Sequence, residues 1–279
     1  MAKIYQAKMN VNEKIFEVYS KKIRLDDLLD ELYGKINSNV IVEEPRFEIK
    51  YKFINVNRDS KRHIVNGVLI RIHKEKQIDI YEEDEDDISE ERIKRFSEKV
   101  PFSFDVQREV VSFVPSNTFR KERFIDVFRQ LLEEAYPKMG TINITLLTDQ
   151  EAFERKYNRI KRLGKFSAVI VPPNGADDLF DDVDELINDL IDSNATEFKQ
   201  ELSTNVRNPL NKESRIIKGL KKLAKSGYGY ITAYGKDENN NRVDINTKTD
   251  KNMHKTYIID EKLRNSPIEI MSVVEEKEK

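Results

Sequence analysis

The chain has no cysteine and no tryptophan, and its only histidines are at 63, 73 and 254. Without cysteine there can be no disulfide, no thiolate zinc site and no thiol nucleophile. Three scattered histidines leave little for imidazole-based metal chemistry. No window approaches 18 consecutive apolar residues, so no transmembrane helix is expected. Met1 to Asn10 has no apolar core of signal-peptide length. No Gly-x-x-x-x-Gly-Lys-Ser/Thr phosphate loop and no serine-hydrolase elbow occurs. These absences lead to the expectation of a cytoplasmic chain with no cofactor, no resident metal, no catalytic residues and no direct membrane insertion.

What is present is charge, sorted into blocks. The 279 residues carry 49 Lys and Arg against 51 Asp and Glu, a net charge of −2. From Asp79 to Glu91 there are nine acids and no base, and from Asp177 to Asp192 there are eight more. Two basic stretches, Arg155 to Lys165 and Arg207 to Lys225, offset them. Separated positive and negative surfaces can hold a polyanion on one side and restrict where it lies on the other.

The first segment reads mainly as strands. Lys3 to Met9 is expected as an edge strand. Leu25 to Ile36 has the 3-4-7 spacing of a short amphipathic helix. Arg46 to Val56 alternates Phe47, Ile49, Tyr51 and Phe53 against charged residues, as a half-buried strand does. Asn57 to Ser60 reads as a turn, Val65 to His73 as a second strand and Gln77 to Tyr81 as a third or its extension. The acidic block reads as a loop running into a short helix, Ser89 to Lys99. Phe102 to Val106 and Glu109 to Val114 complete the β-rich part, and Pro115 ends it.

Beyond Pro115 helices alternate with strands. Thr118 to Tyr136 carries a clear apolar stripe. Thr141 to Leu147 alternates as a strand. Thr148-Asp149-Gln150-Glu151 matches a capping box, with Thr148 as the cap, for a helix reaching Gly164. Phe166 to Val171 is a short apolar strand, Asp178 to Ile191 an acidic helix and Arg215 to Lys225 a basic one. Gly227 to Tyr234 and Arg242 to Thr247 form a hairpin around 237–241. Thr256 to Ile259 is a last strand, and Met271 to Lys279 is expected to fray. The fold class is α+β, with a β-rich N-terminal domain over 1–115 and a mixed helix/strand C-terminal domain over 116–279.

The basic helix puts Ile216, Ile217, Leu220, Leu223 and Ala224 on one face and Arg215, Lys218, Lys221, Lys222 and Lys225 on the other. A phosphate backbone rewards such a face through release of condensed counterions. An ordinary solvated helix face accounts for the pattern equally well. Arg155, Arg159 and Arg162 form a second set, opposite Phe153, Tyr157 and Ile160. Arg120, Lys121 and Arg123 form a third. On a strand, Tyr228, Tyr230, Thr232 and Tyr234 share one face, which could contact phosphates or stack on bases. A tyrosine face covered by another element is the plainer reading. The acidic helix lacks the order of a calcium loop. Glu48-Ile49-Lys50 has the local form of a metal-dependent nuclease strand, but the same Glu-x-Lys spacing recurs at Glu154, Glu197 and Glu275.

In pattern order the second half resembles the RexA-like phage-exclusion proteins and related proteins of bacterial phage-defence loci. The resemblance rests on Phe166-Ser-Ala-Val-Ile-Val-Pro, the acidic helix, Leu220-Lys-Lys-Leu-Ala-Lys, and the turn at Tyr234-Gly-Lys-Asp-Glu-Asn. It implies a homodimeric, two-domain DNA-binding protein in phage defence, with a possible separate membrane or effector partner. It transfers no individual residue role. The reading that follows is a non-enzymatic binder of duplex DNA, using the cations above with Tyr228 and Tyr230 in support. A metal-dependent nuclease using Glu48 and Lys50, and an interaction subunit of a defence or toxin complex, remain open beside it.

Overall fold

The structure is a computed structural model and describes residues 1–82, 87–94, 96–174, 184–205 and 207–278. The chain opens with β1 (Ala2–Val11), followed by α1 (Ile15–Tyr19) and α2 (Leu25–Lys35). Seven strands then run from β2 (Ile41–Glu44) through β3 (Ile49–Asp59), β4 (Ile64–His73), β5 (Glu75–Glu82), β6 (Asp87–Lys94) and β7 (Ser97–Asp105) to β8 (Val110–Phe113). After them come α3 (Lys121–Ala135), β9 (Ile142–Leu146), α4 (Gln150–Arg159), β10 (Arg162–Ile170) and α5 (Asp184–Asp192). The chain finishes with β11 (Phe198–Ser203), α6 (Arg215–Lys225), β12 (Gly229–Lys236), β13 (Arg242–Asn246), β14 (Thr256–Ile259) and α7 (Pro267–Glu278). This is an α+β fold with antiparallel sheets.

The larger sheet has the order β14-β1-β8-β7-β4-β3-β2, with β9 also on β1. β1 is therefore interior, not the edge strand expected. One of its edges holds β14 over Ala2–Tyr5 and β9 over Ala7–Val11, and the other holds β8. Its position follows from its burial on both faces. Ala7, Met9 and Val11 join the core under α2 and α3, while Ala2 and Ile4 pack with Val114, Ile270 and Val274. The first core is rich in phenylalanine. The rings of Phe113 and Phe124 stack at 4.0 Å, and Phe128 meets Phe53, Phe102 and Phe104 edge-on. Such pairs add directional attraction to burial.

The smaller sheet, β11-β10-β12-β13, has its own core. The chain does not change sheets at Pro115. β9 and β14, both downstream of it, complete the larger sheet, and α3 packs on that sheet's core. The second core begins at Phe153 and ends at Met253. Pairing partners distant in sequence leave no local mark, so the change of rhythm at Pro115 coincides with no change of sheet.

Other expectations are corrected. Residues 89–94 and 96–99 are not helical: β6 pairs with β5 in a two-stranded ribbon, and β7 pairs with β4. Glu and Lys favour a helix locally, but these ladders satisfy the same backbone groups. The strand beginning at Arg46 starts instead at Ile49. Pro45–Phe47 form a 3-10 turn and Phe47 is exposed. The turn expected at Asn57 comes later, because β3 runs to Asp59. The first part of the expected acidic helix, 178–183, lies outside the described residues, and Asp184–Asp192 is helical.

Met271 to Glu278, expected to fray, is helical. α7 buries Ile270, Met271 and Val274. It is also tied down by charge. Glu278 accepts from Arg108 at 2.8 Å, Lys255 at 2.6 Å and Tyr257 at 3.2 Å, and Glu275 pairs with Arg62. Burial pushes the Glu278 carboxyl up, but the Lys255 and Arg108 donors outweigh it and hold it at about 2, below its usual 4.5. A depressed carboxylate pKa stabilises the fold above the unfolded value, and that stabilisation is lost as pH falls through the folded one. The thermal midpoint of Glu278→Gln should therefore lie below that of the wild type at neutral pH, and the gap should close as pH falls from 4.5 towards 2. A gap that stays constant would show that the carboxylate charge is not what holds α7.

Candidate nucleic-acid interface

α4 and α6 lie side by side on one face of the smaller sheet. Phe153 and Tyr157 of α4, and Ile217, Leu220, Leu223 and Ala224 of α6, share a core with Phe166, Ile170, Ile231 and Ala233. Asp149 caps α4, its side chain accepting from the Ala152 amide at 2.8 Å. The cap is thus Asp149 and not Thr148, which forms a bridge to His254 instead. α4 also stops at Arg159 rather than Gly164. Lys212 helps to end it, donating to the carbonyls of Tyr157 at 2.9 Å and Ile160 at 3.0 Å. A cation at the helix C-terminus is favoured by the peptide dipoles.

Glu154 joins the two helices. Its carboxylate lies 3.3 Å from Lys221 Nζ and also bonds Lys225. Lys221 lies 4.2 Å from the centre of the Tyr157 ring. Burial pushes the Glu154 carboxyl up, but Lys225 and Lys221 outweigh it and leave it lowered. Lys221 and Lys225 are only 16% and 22% exposed. These two cations hold α6 against α4, and little of their charge faces solvent.

The remaining cations of this layer are more open. Lys218 pairs with Glu213 at 2.9 Å, Arg215 with Glu185 of α5 at 3.2 Å, and Arg155 with Glu151 at 3.9 Å, all between exposed groups. Exposed pairs of this kind contribute about 0–1 kcal/mol, so a phosphate can replace the carboxylate at small cost. Arg159 is exposed and lines a groove with Arg155, Lys156 and Met253. Lys222 is half-buried on α6. Lys161, which follows α4, is exposed beside them. Two of the three basic sets thus meet on one layer, with the acidic α5 bordering it at Arg215.

Other expected site residues lie elsewhere. Arg162 begins β10 and donates to Asn240 at the β12–β13 turn, at 2.9 Å. It left the second set because α4 ends three residues earlier. Tyr228 precedes β12 and is buried, with Lys8 Nζ 5.7 Å from its ring centre. It cannot touch a polyanion without local unfolding. Tyr230 is partly exposed on β12, but β12 turns Ile231 and Ala233 to the helices, so Tyr230 faces the other way. There Lys248 lies 4.7 Å from its ring centre, and Arg242 lies 5.0 Å from that of Tyr234. Lys248 and Arg242 follow no periodic pattern that would have marked them. In the third set, Arg123 is held by Glu44, Asp126 and Tyr51, and Lys121 is buried.

The Glu-x-Lys strand does not gather carboxylates. Glu48 caps the 3-10 turn in a left-handed conformation and pairs with Lys74, while Lys50 pairs with Glu43. Among the described residues, no group of three or more His, Asp or Glu side chains is placed to hold a metal ion. None of the described helices is long and apolar enough to cross a membrane.

The chain belongs to a family described as a domain of unknown function (DUF4747), whose model matches residues 8–274. No curated protein matches the chain.

If Glu154 joins the helices, replacing it leaves two half-buried ammonium groups without a carboxylate. Glu154→Gln should lower the unfolding free energy by about 1–2 kcal/mol in urea titrations. An unchanged midpoint would mean that the apolar contacts alone hold α6 on α4.

Proposed function

We infer that the protein binds duplex nucleic acid, DNA in the first place, through phosphate contacts made by the α4–α6 layer and with little base preference. The observation that supports this most is that Arg155, Arg159, Arg215 and Lys218 are all exposed on the two helices of one layer, with the pairs Arg155–Glu151, Arg215–Glu185 and Lys218–Glu213 lying between exposed groups. Lys222 lies on the same helix. Lys221 and Lys225 act as positioning residues, since Glu154 holds both. The acidic α5 would keep the duplex off one end of the layer. The pattern resemblance to RexA-like phage-exclusion proteins supports reading this binding as part of a cytoplasmic defence against phage.

Fluorescence anisotropy with a mixed-sequence duplex, measured across salt concentrations, tests the binding. The logarithm of the affinity should fall linearly with the logarithm of salt, by about 0.9 per phosphate contacted. The triple variant Arg155→Glu, Arg159→Glu, Lys218→Glu should lose affinity and flatten that slope by about 3. No binding at low salt, or an unchanged slope in the variant, would sink the proposal. Preference for a single strand together with loss in Tyr230→Ala would move the site to the opposite sheet face. For the defence role, phage plating efficiency should fall in cells carrying the wild-type gene and recover with the triple variant. Equal plating with both would separate binding from defence.

A further inference from the structure

A second concentration of positive charge lies away from the helix layer, between the start of β1, the segment entering α3, and the turns on either side of β14. This cleft encloses about 980 Å³ and is lined by five cationic side chains, Lys3, Arg120, Lys121, Lys251 and Arg264, against two acids. One acid, Glu261, is paired with Arg264. The other, Glu122, is 66% exposed and 3.8 Å from Lys121. Lys3, Arg120 and Lys251 are exposed and have no ion-pair partner among the described residues.

Lys121 is the unusual member. Only 6% of it is exposed, and among the described residues its ammonium pairs only with the exposed Glu122 carboxylate, at 3.8 Å. It meets His254 Nδ1 at 2.8 Å and lies 4.9 Å from the Tyr5 ring centre. With Lys121 charged, the imidazole accepts from it at Nδ1, which leaves Nε2 to donate to the Lys248 carbonyl at 3.3 Å. Burial pushes both the Lys121 and the His254 pKa values down. A buried cation whose carboxylate partner is distant and solvent-exposed is only weakly compensated, and an anionic ligand adds to that compensation. The α3 N-terminus adds to the field. Arg120 is its N-cap residue and supplies no side-chain acceptor, so the amides of the first turn remain available to a ligand.

We propose that this cleft binds a phosphate group, as a free ion or as a phosphate monoester. A tetrahedral dianion has peripheral oxygens for several converging cations and helix amides at once. The volume exceeds what the ion alone would fill, and the Tyr5 ring on the wall offers an apolar surface to the organic part of an ester. Arg120, Lys251 and Lys3 reach the ligand from three chain segments, Lys121 supplies the fixed charge beneath it, and His254 orients Lys121. The site shares none of its cations with the α4–α6 layer, so it stands or falls independently of nucleic-acid binding.

Isothermal titration of the full chain with inorganic phosphate, adenosine 5′-monophosphate and adenosine tests this. Saturable binding of phosphate or of the monophosphate is expected, with adenosine silent. Whichever of the two binds more tightly identifies the source of the group. The double variant Arg120→Glu, Lys251→Glu changes only exposed side chains, so its thermal midpoint without ligand should match the wild type. Its affinity should fall about tenfold or more. Lys121→Met should fold as well as the wild type and also lose binding. Failure of both phosphate and the monophosphate to bind in the millimolar range would overturn the proposal. So would adenosine binding as tightly as its monophosphate, or wild-type affinity in the double variant.

Discussion

The structure depends on the polar face of β1. Its other face is ordinary core, but on this one Gln6 and Asn10 are buried and Lys8 is nearly so. Gln6 donates to Ser112 of β8, while Lys8 and Asn10 form the seam to the second sheet. Asn10 donates to the Gly227 carbonyl at 3.1 Å, and the Asn174 side chain accepts from the Val11 amide at 2.8 Å. Asn174 also donates to Glu109, which pairs with Lys8 at 3.0 Å. Gly227 has a positive φ, and a Cβ there would come within 2.7 Å of Lys8. A seam of this kind is directional. Hydrogen bonds in a low-dielectric interior are strong when complete and costly when broken, so they fix one mutual arrangement where apolar packing would tolerate several.

That seam sets where the charged elements point. Gly227 and Tyr228 follow Ser226, the residue that caps α6, so anchoring them to β1 anchors the end of the basic helix. The same anchoring turns the helix layer outward and buries Tyr228. The basic layer then divides its cations between two tasks. Lys221, Lys225 and Lys212 are used in packing, through Glu154, the aromatic faces and the α4 carbonyls. Arg155, Arg159, Arg215 and Lys218 stay open to solvent. The outward cations are therefore presented on a packed base.

The elements with strong periodicity were legible in the sequence. α6 spans the residues its stripe indicated, α2 and α3 nearly so, and the β12–β13 hairpin falls around its Asp-Glu-Asn-Asn-Asn turn. Ile231 and Ala233, which alternate with the tyrosines, are the residues of β12 that meet the helices. Misreadings fell where a distant partner overrode local preference. The ladder with β5 drew an acidic, helix-favouring stretch into β6, and contacts with β8 and Arg108 held a polar terminus as α7. Arg162 was misplaced because one helix end was drawn five residues too far. Of the cleft at Lys121 the sequence marked only Arg120 and Lys121, as part of the third basic set, since Lys3, Lys251 and Arg264 come from distant parts of the chain.

The amino-acid order alone carried the α+β class, the amphipathic faces and the sign of charge on each, because those follow from periodicities of 2 and 3.6 residues within one segment. It could not say whether the basic sets meet, which tyrosine is open, or which lysines are already engaged. Those facts arise from contacts between residues far apart in the chain: β14 and β9 returning to β1, Glu154 reaching α6, and His254 meeting Lys121. Periodicity reports only which side of a segment is buried. What that side is buried against, and what the other side faces, is set when the segments assemble.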